Sequence, residues 1–422
     1  MPLDDAFLAE LADVLAPADA RAARFTGEAP TRQPVHTLYV PADLFRAGTP
    51  AKYGELASAL LDEHETSLAD ALALSPSELV EVVPRVRHKL TFQPVEDLRV
   101  DFEDGYGLRP DDEEDAAATA AGRALAEMAA PAVPETPDGP FTAPPLLTGV
   151  RVKGLQRATR DRGLRTLDLV IGAAQEAGGL PDRFVVTLPK VGHVAEAEAG
   201  ARLAEKLEQV HGLRAGAVRL EFQIEVPQAI VAPDGTAEVA KLVHAARGRC
   251  EGLHYGTYDF SAAAGVVAGE QSLEHPLADH AKAVMQLAAA QTGVRVSDGS
   301  TNVVPTGSPD DVAAAWALHA RLVDRGLRRG LYQGWDLHPG HLVTRYAATY
   351  AFYREQLRTS AARLRAYTTK ASAGVLDEPA TAQALSSAVL RGLDCGACDA
   401  EEVSEATGLD RAALLGLARR VV

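Results

Sequence analysis

Two acidic residues in the middle of the chain have the type and spacing for metal chemistry. Glu225 lies near the end of residues 218–227, where apolar and polar side chains alternate, and Asp259 lies near the end of the Leu/Tyr-rich residues 252–260. A period of two predicts a strand with one apolar and one polar face. Carboxylate oxygens at adjacent strand ends suit a hard cation, Mg²⁺ or alternatively Mn²⁺. The other interpretation is that both carboxylates are exposed to water at the strand ends and bind no metal.

The rest of the chain supplies the elements that would position these carboxylates. Eight strand patterns, each followed by a helix pattern, occupy about the length that an eightfold β/α barrel needs. The strand candidates lie near residues 36–41, 98–104, 148–154, 183–190, 218–227, 252–260, 294–299 and 330–340. We therefore predict an α/β fold in which residues 35–357 form a (β/α)8 TIM barrel.

Charged residues gather near the C-terminal ends of these strands. They are Asp101, Glu103, Asp104, Arg151, Lys190, Glu225, Asp259, Asp298, Asp336 and His338. An open sheet covered on both faces would read as nearly continuous apolar runs. A barrel, in contrast, has an inward face that can turn polar at its mouth, where such folds place their chemistry. The charge pattern therefore favours a barrel.

The segments outside the barrel have helical patterns. Residues 1–34 are interpreted as an N-terminal helix, over residues 4–15, and a polar connection. Residues 129–146 are rich in proline and small residues, which predicts a surface loop. Residues 358–422 are predicted to form a C-terminal helical domain that caps the barrel mouth or mediates assembly. We expect a homo-oligomer.

Composition narrows the classes of partner. The 422-residue chain has 42 basic and 58 acidic residues and a net charge of −16, which argues against nucleic acid or an anionic membrane as the main partner. Small acidic substrates stay compatible, since local basic groups focus a field inside a cleft. Three cysteines fit a reducing cytoplasm, and no apolar run reaches the roughly 18 residues of a membrane span. We expect a cytoplasmic protein.

Several of these strand ends resemble the motifs of a known superfamily in the same order. The motifs are DFEDG from Asp101, RVKGL from Arg151, LPK from Leu188, IE from Ile224 and GWDLHP from Gly334. They resemble those of the citrate lyase β-subunit and HpcH/HpaI aldolase superfamily across roughly residues 35–345. Residues 252–260, GLHYGTYDF, look closer to the corresponding segment of malate synthase, a relative.

The resemblance implies a Mg²⁺-dependent lyase that breaks a carbon–carbon bond of an α-keto acid or an acyl-CoA-derived hydroxy acid. Glu225 and Asp259 would bind the metal, and Arg151 would clamp the substrate carboxylate with paired donors. An enolate would be stabilised by the cation. Coenzyme A would enter as part of the substrate. The alternatives are a malate-synthase-like Claisen condensation, or a barrel that binds an acidic metabolite without turnover.

Other residues at the predicted mouth receive supporting roles from the resemblance. Asp101, Glu103 and Asp104 would orient metal-bound water or Arg151, although Asp104 is equally explained as a cap of the next helix. Lys190 would bind a carboxylate or phosphate or pair with an acid, and a Schiff-base role is the alternative. Lys153 stands where relatives have asparagine and would recognise a second carboxylate. The general base is left open, with Asp394 and Asp399 as positional guesses.

Three further motifs have structural explanations. Cys395-Gly-Ala-Cys398 lacks the further ligands that zinc needs, so a turn with Asp399 capping the next helix is favoured. Residues 401–416 read as helix, glycine turn and helix, but their acidic first helix favours a packing hairpin over a DNA-reading module. A structural or substrate-facing His338 is preferred to a metal ligand. Asp298 and Asp336 are explained by helix capping or strand-end solvation.

Overall fold

The computed structural model describes residues 4–25, 27, 31–130, 142–369 and 378–419. Most of the proline-rich loop predicted for residues 129–146 therefore lies outside the described residues. The strands are β1 His36–Pro41, β2 Asp97–Asp101, β3 Leu147–Arg151, β4 Phe184–Leu188, β5 Val218–Ile224, β6 Cys250–Tyr255, β7 Arg295–Ser297 and β8 Gly334–Asp336.

All eight strands are parallel, and their order is that of a barrel. Each strand pairs with its neighbours in sequence from β1 to β7, and β8 pairs with β1. The seam between β7 and β8 is closed by two backbone hydrogen bonds made at or next to the ends of these strands. The N–H of Asp298 donates to the carbonyl of Gln333 over 2.8 Å, and that of Trp335 donates to Gly299 over 3.2 Å. The predicted (β/α)8 barrel is confirmed.

Fifteen α-helices lie within the described residues. They are α1 Asp5–Ala22, α2 Thr49–Leu72, α3 Pro76–Phe92, α4 Asp111–Ala129, α5 Arg160–Ala177, α6 Val194–Val210, α7 Pro227–Ile230, α8 Glu238–Ala245, α9 Thr257–Ala263, α10 Pro276–Ala289, α11 Pro309–Arg328, α12 Pro339–Thr369, α13 Pro379–Cys395, α14 Ala400–Thr407 and α15 Arg411–Arg419. The N-terminal helix is longer than predicted. The helix α12 continues across residue 357, where the sequence predicted the boundary between the barrel and the C-terminal helical domain. That domain boundary stays a prediction.

The alternation within the strands separates two environments. On β5, Leu220, Phe222 and Ile224 belong to the hydrophobic core, and a Cβ added at Gly200 of α6 would lie 3.4 Å from Leu220 Cδ1. This apolar face therefore points outward to the helices. The intervening Glu221 contacts side chains of other strands across the barrel. The polar faces of the strands thus form the barrel interior as well as its mouth.

The barrel interior contains a buried ionic network centred on Arg99 of β2, which has no exposed surface. Its guanidinium forms ion pairs with Asp97 and, over 2.8 Å, with Glu221, and it donates to Thr187 Oγ1 over 3.0 Å. His254 Nε2 lies 2.8 Å from the same Glu221 carboxylate. Four strands are therefore joined through charged and polar side chains inside the barrel. A buried charge is stable only when its partners stay in place.

We expect Arg99→Leu to destabilise the fold by about 3–5 kcal/mol, because it leaves the buried Asp97 and Glu221 carboxylates without their cation. Urea unfolding at pH 7 measures this loss. The control is Arg123→Leu on α4, where the arginine is exposed; a surface change of this kind alters stability by about 0.5 kcal/mol or less. Equal stabilities of the two variants would contradict a structural role for the network.

A second ionic cluster lies at the N-terminal end of the barrel, just before β2. The fully buried Glu96 forms ion pairs with Arg32 and, over 2.6 Å, with Lys89 of α3. Burial alone would raise the pKa of Glu96, but the charges of Lys89 and Arg32 outweigh burial and lower it to about 2. The ionised form is therefore favoured in the folded state.

This shift predicts an acid-dependent loss of stability. Because the folded pKa of Glu96 lies below that of the unfolded chain, its stabilisation is complete above about pH 4.5 and is lost as the pH falls toward 2. The contribution is on the order of 3 kcal/mol. We expect the stability difference between wild type and Glu96→Gln, from denaturant unfolding, to shrink between pH 6 and pH 3. A difference that stays constant would contradict this assignment.

Candidate active site

At the mouth of the barrel four carboxylates surround one ammonium group. Lys190 Nζ lies 2.6 Å from Glu103 Oε1, 3.2 Å from Asp104 Oδ2, 3.8 Å from Glu225 Oε1 and 3.9 Å from Asp259 Oδ2. These residues come from four different strand-to-helix connections. The sequence-predicted metal pair and three predicted mouth residues are thus brought together, and we call these five residues the mouth cluster.

Glu225 is the buried member of the mouth cluster. Its side chain has no exposed surface, whereas that of Asp259 is 46% exposed. It follows β5 directly and accepts a hydrogen bond of 2.8 Å from the backbone N–H of Lys190. Gly256 lies against it, since a Cβ there would come within 2.5 Å of Glu225 Oε2. A side chain at this glycine would therefore displace the carboxylate.

Asp259 reaches the cluster in a different way from the one predicted. The sequence suggested that it ends a strand, but β6 ends at Tyr255 and Asp259 lies in the first turn of α9. The strand pattern stops at Gly256, which adopts extended backbone before the helix begins. The short helix then directs the carboxylate back toward Lys190. The residue is placed at the mouth, but by a helix rather than by a strand.

The loop that carries Glu103 and Asp104 is fixed by two buried side chains. Asp101, the last residue of β2, accepts hydrogen bonds from the N–H groups of Glu103, over 3.0 Å, and Gly105, over 2.8 Å. Lys153 Nζ donates to the carbonyl of Phe102 over 2.8 Å. The buried side chains of Asp101 and Lys153 therefore fix the geometry of this acidic loop.

Lys153 itself is directed away from the mouth cluster. Besides Phe102 O, its ammonium contacts Glu114 Oε2 of α4 over 2.6 Å and the carbonyl of Gly107 over 3.4 Å. These three acceptors match the three donors of a lysine. The sequence suggested that Lys153 recognises a second substrate carboxylate, but the structure places it under the acidic loop as a positioning residue.

Arg151, the last residue of β3, is buried next to the cluster. Its Nε and one terminal nitrogen donate to the two carboxylate oxygens of Asp101 over 2.7 and 2.6 Å. The other terminal nitrogen, NH1, lies 3.2 Å from Gln223 Oε1 and 3.5 Å from Glu103 Oε2. A bidentate pair fixes the plane of the guanidinium. The NH1 edge is therefore the part of Arg151 that faces the mouth cluster.

Aromatic rings form the floor beneath Arg151. Its guanidinium carbon lies 4.8 Å from the ring centroid of Tyr39 and 5.9 Å from that of Trp335. The indole N–H of Trp335 donates to His254 Nδ1 over 2.8 Å, so that the floor is joined to the interior network. Sequence reasoning missed this floor and Gln223. Gln223 had a usable signal, because it precedes Glu225 by two residues and shares its strand face.

The electrostatics of the cluster favour an added cation. Burial, and secondarily the charge of Asp259, raise the pKa of Glu225 to about 8 even though Lys190 opposes the shift. Burial alone would lower the pKa of Lys190, but the charges of Glu225 and Glu103 outweigh burial and raise it. The lysine is thus a persistent cation rather than a free amine. Four carboxylates with one ammonium provide an oxygen-only donor set, which fits Mg²⁺ or Mn²⁺.

A second group of possible metal ligands lies outside the barrel wall. Nitrogen and oxygen atoms of His319, Asp336 and His341 lie within 4.8 Å of one another, all buried. The two imidazole rings are stacked with centroids 4.4 Å apart, His341 Nε2 contacts the carbonyl of Val303 over 3.0 Å, and Asp336 pairs with Arg345. Stacked rings do not converge on one ion, and the ligand atoms of His341 and Asp336 already contact these partners. We interpret this group as a structural network.

The other strand-end groups also have structural partners. Asp336 and Asp298, expected to cap helices or to solvate strand ends, are instead buried and paired with Arg345 and Lys282. His338 Nδ1 accepts a hydrogen bond of 3.1 Å from the N–H of Gly340 in the first turn of α12. His338 therefore has a structural contact, and a substrate-facing role stays a prediction.

The CxxC segment has the structure that was favoured for it. Cys395 and Cys398 are buried and unbonded to each other, and Gly396 ends α13 in the left-handed conformation. Asp399 accepts a hydrogen bond of 2.9 Å from the N–H of Glu402 and caps α14. The turn and cap are confirmed.

Comparison with known proteins adds a family. A family model described as a domain of unknown function, DUF6986, matches residues 15–422. The chain belongs to the DUF6986 family. No curated protein matches this DUF6986 chain. The HpcH/HpaI superfamily, which its motifs resemble, is not confirmed by a family match.

Solved structures share the fold of this DUF6986 protein. A citrate lyase from Burkholderia xenovorans LB400 is 19% identical with a TM-score of 0.57, over 89% of this chain and 96% of that chain. A malate synthase from Haloferax volcanii, in its magnesium/glyoxylate complex, is 16% identical with a TM-score of 0.47, over 76% of each chain. At these identities the likeness concerns the fold alone.

Among the described helices, none combines the length and apolar character needed to cross a membrane.

The mouth cluster predicts a competition between Lys190 and a divalent cation. We expect Lys190→Met to bind Mn²⁺ or Mg²⁺ about tenfold more tightly than wild type, because the ammonium repels a second cation a few ångströms away. Isothermal titration calorimetry measures the change. The control is Lys52→Met, which removes an exposed lysine that contacts Glu55 on α2. Equal or weaker affinity in Lys190→Met would contradict a cation site among these carboxylates.

Proposed function

We propose that this DUF6986 protein is a Mg²⁺-dependent carbon–carbon lyase of the aldolase or acyl-CoA lyase type. Its substrate would be a small α-keto acid or an acyl-CoA-derived hydroxy acid. The observation that carries the proposal is the convergence of Glu225 and Asp259 with Glu103, Asp104 and Lys190 at the C-terminal mouth of a barrel. This end of a (β/α)8 barrel is where such folds place their active sites.

Glu225 and Asp259 would hold the cation, with Glu103 and Asp104 adding negative charge around them. A divalent ion bound there supplies Lewis-acid stabilisation of the charge that develops on the substrate oxygen. The ionised form of Glu225 is disfavoured by burial, and a divalent ion would favour it. Gly256 and the N–H of Lys190 fix this carboxylate before any ligand arrives.

Arg151 would bind the substrate carboxylate through its NH1 edge. The pairing with Asp101 and the aromatic floor fix the guanidinium in advance, so that little conformational entropy is lost on binding. Gln223 offers a polar group beside the same edge. The Lys190 ammonium would supply a second fixed positive charge facing the reacting carbon skeleton. Preorganised charges of this kind stabilise an anionic transition state without reorganisation.

The same geometry serves a Claisen condensation, in which a thioester rather than a keto acid loses the proton. The two reactions differ in the molecule that is enolised. Thioester use therefore separates them experimentally. A barrel that binds an acidic metabolite without turnover would need neither the cation nor an ionised Glu225.

Metal-dependent enolisation tests the proposal. We expect the wild type to exchange the methyl protons of pyruvate with deuterium in the presence of Mg²⁺, as followed by proton NMR. In Glu225→Gln the exchange should fall at least about 100-fold, since the neutral amide binds a hard cation more weakly than a carboxylate. Chelation of the metal should abolish exchange in the wild type.

The matched control is Asp43→Asn, which removes one carboxylate at the same end of the barrel but outside the mouth cluster. Asp43 is 43% exposed and pairs with Arg109. The rate of pyruvate exchange by this variant should therefore stay within about twofold of wild type. Exchange of acetyl-CoA methyl protons, with none for pyruvate, would support the Claisen reaction instead. No exchange with either compound would overturn the enzyme proposal in favour of a binding protein.

A further inference from the structure

A second cavity lies at the opposite end of the barrel from the mouth cluster. Its volume is about 450 Å³, and it opens between α3, α12, α13 and the residues that precede β1. Pockets for small organic ligands fall in this size range and combine apolar walls with a few convergent polar groups. Its lining includes Arg32, Lys89, Phe92, Leu393, Asp394 and Cys395.

The cationic groups around the cavity outnumber the carboxylates that they contact. Arg32 and Lys89 share a single carboxylate, that of the buried Glu96. Asp394 also lines the cavity, but it pairs with Arg411 over 2.5 Å. The charge of Asp394 also acts on Arg32, so Arg32, Lys89 and Arg411 share two carboxylates and this group keeps one positive charge in excess. Burial, and secondarily the charge of Arg32, lower the pKa of Lys89.

Arg32 has a donor left over. Its terminal nitrogens contact Glu96 and Gln93, whereas its buried Nε finds no acceptor among the described residues. A buried N–H of a guanidinium without an acceptor costs free energy, more so than for a neutral donor. This Nε is closed to a ligand in the cavity, but the side chain as a whole is 23% exposed. An anionic oxygen in the cavity would therefore pair with the charge of Arg32 and not with this donor.

Part of the cavity wall is apolar. Phe92, Tyr350, Leu393 and Cys395 contribute to it, and the ring of His88 stacks on Phe92 with centroids 5.6 Å apart. The hydroxyl of Tyr350 donates to the carbonyl of Cys395 over 3.0 Å, which fixes α12 against the end of α13. Burial raises the pKa of the Cys395 thiol to about 12, so this side chain is a neutral wall group and not a nucleophile.

We propose that this cavity binds a small organic monocarboxylate with an aromatic or aliphatic body. The carboxylate pairs with Arg32, and the apolar body packs against Phe92 and Leu393. One negative charge balances the single excess positive charge. The apolar wall distinguishes this ligand from inorganic phosphate, which has no apolar body to pack against the wall. The site is separate from the mouth cluster and independent of the reaction proposed there.

Calorimetric titration of the full chain with 3-phenylpropionate tests this assignment, with 3-phenylpropanamide and inorganic phosphate as comparison ligands. We expect the carboxylate to bind at least about tenfold more tightly than either. Arg32→Gln should weaken its binding about tenfold or more, since it removes the charge that pairs with the carboxylate. Leu393→Trp should weaken binding as well, because the indole fills the cavity while every charge remains.

Two control variants separate the cavity from the mouth. Leu108→Trp adds the same indole at a side chain that is 90% exposed, and it should leave affinity unchanged. Arg151→Lys alters the mouth and should also leave affinity unchanged. Loss of binding in Arg151→Lys with retention in Arg32→Gln would place the probe at the mouth and overturn the proposal. Equal affinity for the amide, tighter binding of phosphate, or no binding of the carboxylate would overturn it too.

Discussion

The barrel depends on the burial of charge in its interior. Arg99 lies between Asp97 and Glu221 without contact with water, and the stability of each charge requires the others to stay in position. Glu221 in turn contacts His254, which fixes Trp335 through its other ring nitrogen. A continuous set of contacts thus runs from the centre of the barrel to the aromatic floor under the mouth. The rigidity of the mouth follows from the interior rather than from the loops above it.

The mouth differs from the interior in its balance of charge. Inside, each carboxylate of the network contacts Arg99, whereas at the mouth Lys190 is shared by four carboxylates from three connections. The deficit of positive charge falls on Glu225, whose pKa rises because burial prevents water from solvating it. Such an arrangement is unfavourable by itself and becomes favourable when a cation is added. This is the physical basis for placing the chemistry there.

The sequence was sufficient to predict the barrel and most of the residues at its mouth, because the alternation of side chains continues to the end of a strand. Beyond the strand ends, the alternation no longer predicted where a side chain points. Lys153 follows Arg151 by two residues, but β3 ends at Arg151, so alternation no longer decides its direction. Asp336 lies on β8 beside Trp335, which takes the inward position and leaves the aspartate facing Arg345. A period of two also identifies a polar face without showing which side chains meet across a barrel, so the contacts of Arg99 were not predictable.

Lys190 joins backbone strain to the charge of the mouth. Its φ of 56° lies in the left-handed region, which costs a residue with a side chain about 1–2 kcal/mol and which glycine adopts freely. In this conformation the N–H donates to Glu225 while the ammonium reaches Glu103, so one residue contacts the cluster from two sides. A glycine would remove the strain but also the ammonium. The lysine is therefore retained in a strained conformation by the carboxylates that it neutralises, and a cation that took over these carboxylates would weaken the contacts that stabilise this backbone.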